Sequence, residues 1–207
     1  MKQREEIDVV IADKNPLVLL GLKALFAEHD NINIIATASD GERFLDALDR
    51  LRFDVGIIGW GMPYCNGAEV LRIMKERGGN LPRIIVYSGA SSPIVPKRVM
   101  SLGGAGFYSK KQDPEDLVDI LNKVAQGSMV FPFVDISTMG NGPMDNLSNR
   151  ELEALEYLGQ GQSNQQIAKS LNISINTVKF HLKNLYEKLG IRNRAQAVAF
   201  YMSNRKL

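Results

Sequence analysis

The chain of 207 residues has one cysteine, Cys65, which excludes an internal disulfide and fits a reducing compartment. Between Tyr64 and Asn66 it reads as an ordinary loop thiol. No stretch approaches the roughly 18 consecutive apolar residues of a membrane helix. Residues 1–8 are charged and carry no apolar signal region, so a soluble, cytoplasmic protein without a membrane partner is expected. Of the two histidines, His181 has no other metal-ligand type near it in sequence, and nothing calls for a metal or another cofactor. Internal repeats and low-complexity tracts are also missing. The most telling absence is at position 59. Residues 54–63, DVGIIGWGMP, read as a buried strand entering a Pro-marked loop, where an α/β domain usually displays its reactive side chain. Gly59 offers no functional group there.

The net charge of +2 conceals an asymmetry. Residues 1–127 hold 16 Lys and Arg against 17 Asp and Glu, residues 128–146 carry −2, and residues 147–207 hold nine against four, a net +5. Positive charge gathered in a small C-terminal segment is what a polyanion partner requires, because neutralised phosphates release condensed counterions.

Short β-branched or aromatic runs at 7–12, 32–37, 55–58, 84–87 and 106–108 alternate with amphipathic stretches at 16–28, 41–50, 68–77, 93–102 and 114–125. Leu117, Ile120, Leu121 and Val124 follow helical spacing, and Asp113-Pro114 supplies a cap and a first-turn proline. Five such alternations predict a doubly wound, five-stranded parallel sheet over residues 1–126, with its site at the strands' C-terminal ends. Gly127, Pro132, Gly140, Gly142 and Pro143 then give residues 127–145 the composition of a linker.

From residue 146 to 207 the pattern is all-α, with four helices. Ser148 with Glu151 forms a capping box, Ser163 precedes a second helix, Ser174 caps a third, and Asn193 opens a fourth. The short second helix, the turn Asn172-Ile173-Ser174 and the longer third make a helix-turn-helix. Lys179 and Lys183, spaced i, i+4, share a face with Phe180 and Asn176. A major groove admits such a helix: basic side chains reach guanine edges and an apolar one meets a thymine methyl. Ser163, Ser174, Asn176 and Thr177, at helix starts, suit phosphates. Val178, Leu182 and Leu185 read as core.

At these residues a resemblance becomes specific. LSNRE (147–151), GQSNQQIA (161–168), ISINTVKFH (173–181) and KLGIRNR (188–194) resemble the LuxR-type DNA-binding domain from end to end. The resemblance places Lys179, Phe180 and Lys183 at base contacts and Thr177, Arg192 and Arg194 at backbone contacts. Phe180 is bulkier than is usual there, which implies an unusual target. Val198, Phe200 and Tyr201 would resemble a dimer seam, some of them serving the core instead.

With this tail, the first 120 or so residues resemble a response-regulator receiver of the NarL/FixJ class. Receivers place two acidic residues after the first strand, an acceptor aspartate after the third, Ser or Thr after the fourth and lysine after the fifth. The matching positions here are Asp13 and Lys14, Gly59, Ser88 and Lys110, with Phe107 at the aromatic that often rotates on activation. Three carboxylates and a lysine, about −2, would hold Mg²⁺; Asp13 with Lys14 and Lys110, about +1, repels it. Phosphoaspartate chemistry is not expected. Asp54 opens its strand, roughly 16 Å from Gly59 at ~3.3 Å per residue, and is no substitute.

Three readings of the altered pocket stay open. It is frozen, with Lys14 paired to Asp13, an ammonium in the metal's place and Trp60 packed over the top; or Lys14, Ser88 and Lys110 bind an anionic metabolite; or a protein partner acts there. The leading expectation is a non-enzymatic, phosphorylation-independent transcription regulator that binds double-stranded DNA as a homodimer. Its rivals are a switch phosphorylated at a non-standard residue such as Ser88 or Asp13, and an interaction protein for which DNA binding is secondary.

Overall fold

The computed structural model describes residues 6–89, 94–132 and 143–204. Their contacts divide into two compact units.

The first unit alternates strand and helix: β1 Ile7–Ala12, α1 Pro16–Ala27, β2 Ile32–Ala38, α2 Gly41–Arg50, β3 Val55–Gly59, α3 Gly67–Arg77, β4 Arg83–Ser88, α4 Ile94–Ser101, β5 Gly106–Ser109 and α5 Pro114–Ala125. The strands form one parallel sheet in the order β2-β1-β3-β4-β5. Their period-two alternation sends Val10, Ala12, Ile58 and Val86 into one core with Phe44, Leu71 and Val99, and Val9, Ile11, Ile57, Ile85 and Tyr87 into a second with Phe26, Leu117 and Leu121. Covered on both faces, these strands need continuous apolar runs, which is why they stand out in the sequence. Local chemistry sets the helix starts: Asn15, Asp40 and Asp113 accept from the first turns of α1, α2 and α5, and Asn66 with Glu69 closes a capping box on α3. Asp54, before β3, accepts from the Asp8 N–H at 2.9 Å, a bond between strand beginnings far from Gly59.

One boundary needs correction. The expected linker from 127 onward starts as part of the first unit. Val130 pairs with Gly106: its N–H donates to Ala105 O and its carbonyl accepts from Phe107 N, each at 2.9 Å. Arg83 Nη2 donates to Ser128 O at 2.9 Å. A β-branched residue between Gly127 and Pro132 satisfies the open edge of β5. Of the rest of the expected linker, 133–142 lies outside the described residues and 143–145 belongs to a 3-10 turn, Pro143–Asn146.

The second unit is helical: a 3-10 turn Pro143–Asn146, then α6 Asn149–Gly159, α7 Asn164–Leu171, α8 Ile175–Leu189 and α9 Arg194–Asn204. Leu147, Leu155, Leu158, Ile167, Val178, Leu185 and Ala197 build its core. Glu151, 2 % exposed, ties the unit together: it accepts from Ser148 N at 2.6 Å and pairs with Lys188 Nζ on α8 at 2.8 Å. Burial opposes ionisation of its carboxyl, but the bonds from Lys188 and Ser148 outweigh this and hold its pKa below the usual 4.5. Among the described residues no helix is long and apolar enough to cross a membrane.

Candidate functional site

Two places carry chemistry, one in each unit. At the C-terminal end of the sheet, Asp13 follows β1 on the side that Val9 and Ile11 face, and Tyr87 on β4 reaches it across the sheet. Tyr87 Oη donates to Asp13 Oδ2 at 2.6 Å, and Lys110 Nζ, just past β5, bonds the same oxygen at 3.1 Å. Asp13 Oδ1 accepts from Asn15 N at 2.7 Å. The Lys110 ammonium also lies 4.5 Å from the centre of the Tyr87 ring. Burial first, then the Asp13 charge, pushes the Tyr87 hydroxyl far above its ordinary pKa of 10, so it stays a donor.

The ammonium beside Asp13 is therefore Lys110. The expected Lys14–Asp13 pair does not form; Lys14, the next residue, is exposed. Trp60 is 3 % exposed and belongs to the core with Met62 and Phe107. Ser88 is buried and already engaged by a partner. Neither Tyr87 nor Met62 was anticipated in this site. Tyr87 shares strand parity with Ile85, and that parity, extended to the sheet end, points toward Asp13.

Gly59 sits opposite Tyr87 in the β3–β4 register. A Cβ on it would stand 3.0 Å from Asp13 Oδ2 and 3.5 Å from Met62 Cγ. A side chain at this position would therefore press on the Asp13 carboxylate and lie in ordinary contact with Met62. One carboxylate, already neutralised by an ammonium, does not fit the oxygen-rich demands of Mg²⁺. Among the described residues no cluster of three or more His, Cys, Asp or Glu could hold a metal ion. Cys65 is buried, and desolvation with nearby Glu69 raises its thiol to about 11, which keeps it unreactive.

In the second unit, Asn172 adopts the left-handed conformation (φ 55°) and ends α7, so that α8 starts two residues later on the Ser174 cap. Val178, Leu182 and Leu185 hold α8 to the core. Asn176, Lys179, Phe180 and Lys183 are left on its outer side, Phe180 being 60 % exposed. Lys183 lies 3.9 Å from Glu187, both exposed, a pair too weak to restrain it. Ser163 Oγ accepts from Gln166 N at 3.3 Å; Ser174 Oγ accepts from Thr177 N at 3.0 Å and shares a 2.8 Å bond with the Thr177 hydroxyl. Arg192 is exposed, whereas Arg194 Nη2 donates to Gln162 O at 2.6 Å and ties the start of α9 to the α6–α7 loop. His181 packs against Phe180, ring centres 5.7 Å apart, and burial with Arg150 nearby lowers its pKa below 6.5. Of the three seam candidates, Tyr201 belongs to the core at 3 % exposure, while Val198 and Phe200 are half-buried.

Comparison with known proteins matches these two constructions separately. Residues 9–122 match the response regulator receiver domain, and residues 145–201 match the luxR family of bacterial regulatory proteins. The chain belongs to the response regulators. Its second unit is a LuxR-type DNA-binding domain, and members of this class regulate transcription. The probable transcriptional regulatory protein SgaR of Hyphomicrobium methylovorum is 40% identical over 96% of this chain and 93% of its own. The nitrate/nitrite response regulator protein NarP of Escherichia coli K12 is 33% identical over 99% of both. Among solved structures, RcsB of Salmonella enterica serovar Typhimurium, bound to promoter rprA in the presence of phosphomimetic BeF3-, superposes with a TM-score of 0.64. It is 29% identical and is matched over 96% of this chain and 100% of that one.

Proposed function

We propose that this response regulator binds specific duplex DNA through α8 as a homodimer, and that its binding is governed without aspartyl phosphorylation. The observation that carries the second part is the Tyr87–Asp13–Lys110 cluster facing Gly59: the acceptor position has no side chain, and the remaining carboxylate is already bonded to Tyr87 and Lys110. Lys179, Phe180 and Lys183 are the base-reading residues on this reading, the lysines toward guanine edges and Phe180 toward a thymine methyl. Asn176, Thr177, Ser174, Ser163 and Arg192 stand at helix starts, where N–H groups and side chains hold phosphates. Arg194 has a second duty in the bond to Gln162 O, so its loss would weaken the domain as well as the complex. RcsB is solved on promoter DNA and as dimers on DNA, which makes the same partners and assembly reasonable here.

The test uses the full chain. It is incubated with acetyl phosphate and Mg²⁺, weighed intact, and titrated onto a duplex selected from a random library and onto a scrambled one. The expected result is no added phosphoryl group and unmodified protein that prefers the selected duplex. A phosphoryl adduct, or a protein indifferent to its selected site until phosphorylated, overturns the regulatory part. Equal, weak binding to both duplexes overturns the DNA reading.

A further inference from the structure

With the phosphoryl site closed, the opposite end of the same sheet stands out. Where β4 and β5 begin, a cleft of about 470 Å³ opens beside α3 and the loop that follows α4, walled by Leu71, Met74, Leu81, Leu102 and the exposed Met129. Its size lies within the roughly 300–1,000 Å³ of small-molecule sites, which are mostly apolar with a few placed polar groups. Here those groups are two cations, Lys75 and Arg83, and no acidic residue lines the cleft. Lys75 Nζ donates to Ser101 O at 3.1 Å and Arg83 Nη2 to Ser128 O at 2.9 Å. Neither forms an ion pair with a described carboxylate. Arg83 Nε is shielded from solvent and has no hydrogen-bond partner. Two cations with no acidic residue among the lining give the cleft a positive wall, which an anion complements.

We propose that this cleft binds a small amphipathic carboxylate, its anionic end at Arg83 and Lys75 and its apolar body along Leu71, Met74, Leu102 and Met129. Charge complementarity selects the anion, and the apolar walls exclude inorganic phosphate as the preferred occupant. The location gives such a ligand leverage. Arg83 holds the carbonyl of Ser128, two residues before Val130 joins β5, so a carboxylate drawing on Arg83 acts on the segment that leaves the first unit. The site deepens the reading of control without phosphorylation by naming the chemistry of the signal, and it stands apart from the question of which duplex is bound.

The experiment is calorimetry of the full chain with decanoate and with 4-phenylbutanoate, against decanol as the neutral control. Saturable binding of at least one carboxylate is expected, with decanol weaker by about tenfold or more, and with Arg83→Gln weakening the carboxylate by a similar factor. Lys75→Gln, on an exposed side chain, serves as a second variant, and a thermal melt of each checks that it is folded. No saturable binding of either carboxylate, equal binding of decanol, or full affinity in both variants overturns the proposal. Affinity for the selected duplex is measured on the same samples without ligand: a variant that loses carboxylate binding yet keeps duplex binding places the two readings on separate residues.

Discussion

The two units keep their family's design to different depths. In the DNA-binding unit Asn176, Lys179, Phe180 and Lys183 stand exposed on α8, and the Ser174 cap that starts the helix is in place. In the receiver unit the sheet, its order and both cores are intact, while at the strand ends Asp13 is bonded to Tyr87 and Lys110 beside Gly59. Packing and chemistry meet at the strand ends, where Tyr87 of one core bonds Asp13 and Met62 of the other faces Gly59. A receiver can lose its acceptor and remain a well-packed domain. A recognition helix cannot lose its outer residues and still read DNA.

That contrast can be broken at either end. The largest expected effect comes from Gly59→Asp, which forces a carboxyl against Asp13 Oδ2 and Met62. It should cost about 2 kcal/mol in chemical denaturation and still take up no phosphoryl group by intact mass; a modified product would mean that only the missing acceptor separates this domain from its relatives. Lys179→Ala should weaken the selected duplex by about 1–3 kcal/mol and relax base preference, whereas Arg192→Ala should weaken selected and scrambled duplexes alike. A competition assay in which both variants keep the same sequence preference would contradict the division of labour on α8 and α9. Tyr87→Phe removes the buried donor to Asp13 and should lower the receiver unit's stability by about 1 kcal/mol without altering duplex affinity.

The smallest effect is a pH slope confined to the second unit. The folded pKa of Glu151 is lowered, so its bonds stabilise the fold fully above the ordinary value of 4.5, and that contribution drains away as pH falls below it. Melts of the wild type should lose stability over that acid range more steeply than those of Glu151→Gln. Parallel curves would remove Glu151 from the account.

Most of the fold was legible because the two periodicities are undiluted: buried parallel strands read as apolar runs, and Asp113, Ser148, Ser163 and Ser174 announce their helices. The altered pocket was legible only as an absence. Sequence adjacency suggested Lys14 as the partner of Asp13, yet neighbouring residues at a strand end point to opposite sides, and the partner came from 97 residues away. Tyr87 was hidden inside an apolar run, where an aromatic reads as core; its hydroxyl matters only once β4 lies within reach of β1. Val130 escaped notice because the glycine and proline around it carry the signature of a linker.

The Asp13 carboxylate ends up as a hub: it takes bonds from the Tyr87 hydroxyl, the Lys110 ammonium and the Asn15 N–H, so three segments that are far apart in the chain converge on one side chain beside Gly59. A change at any one of them is therefore felt by the other two.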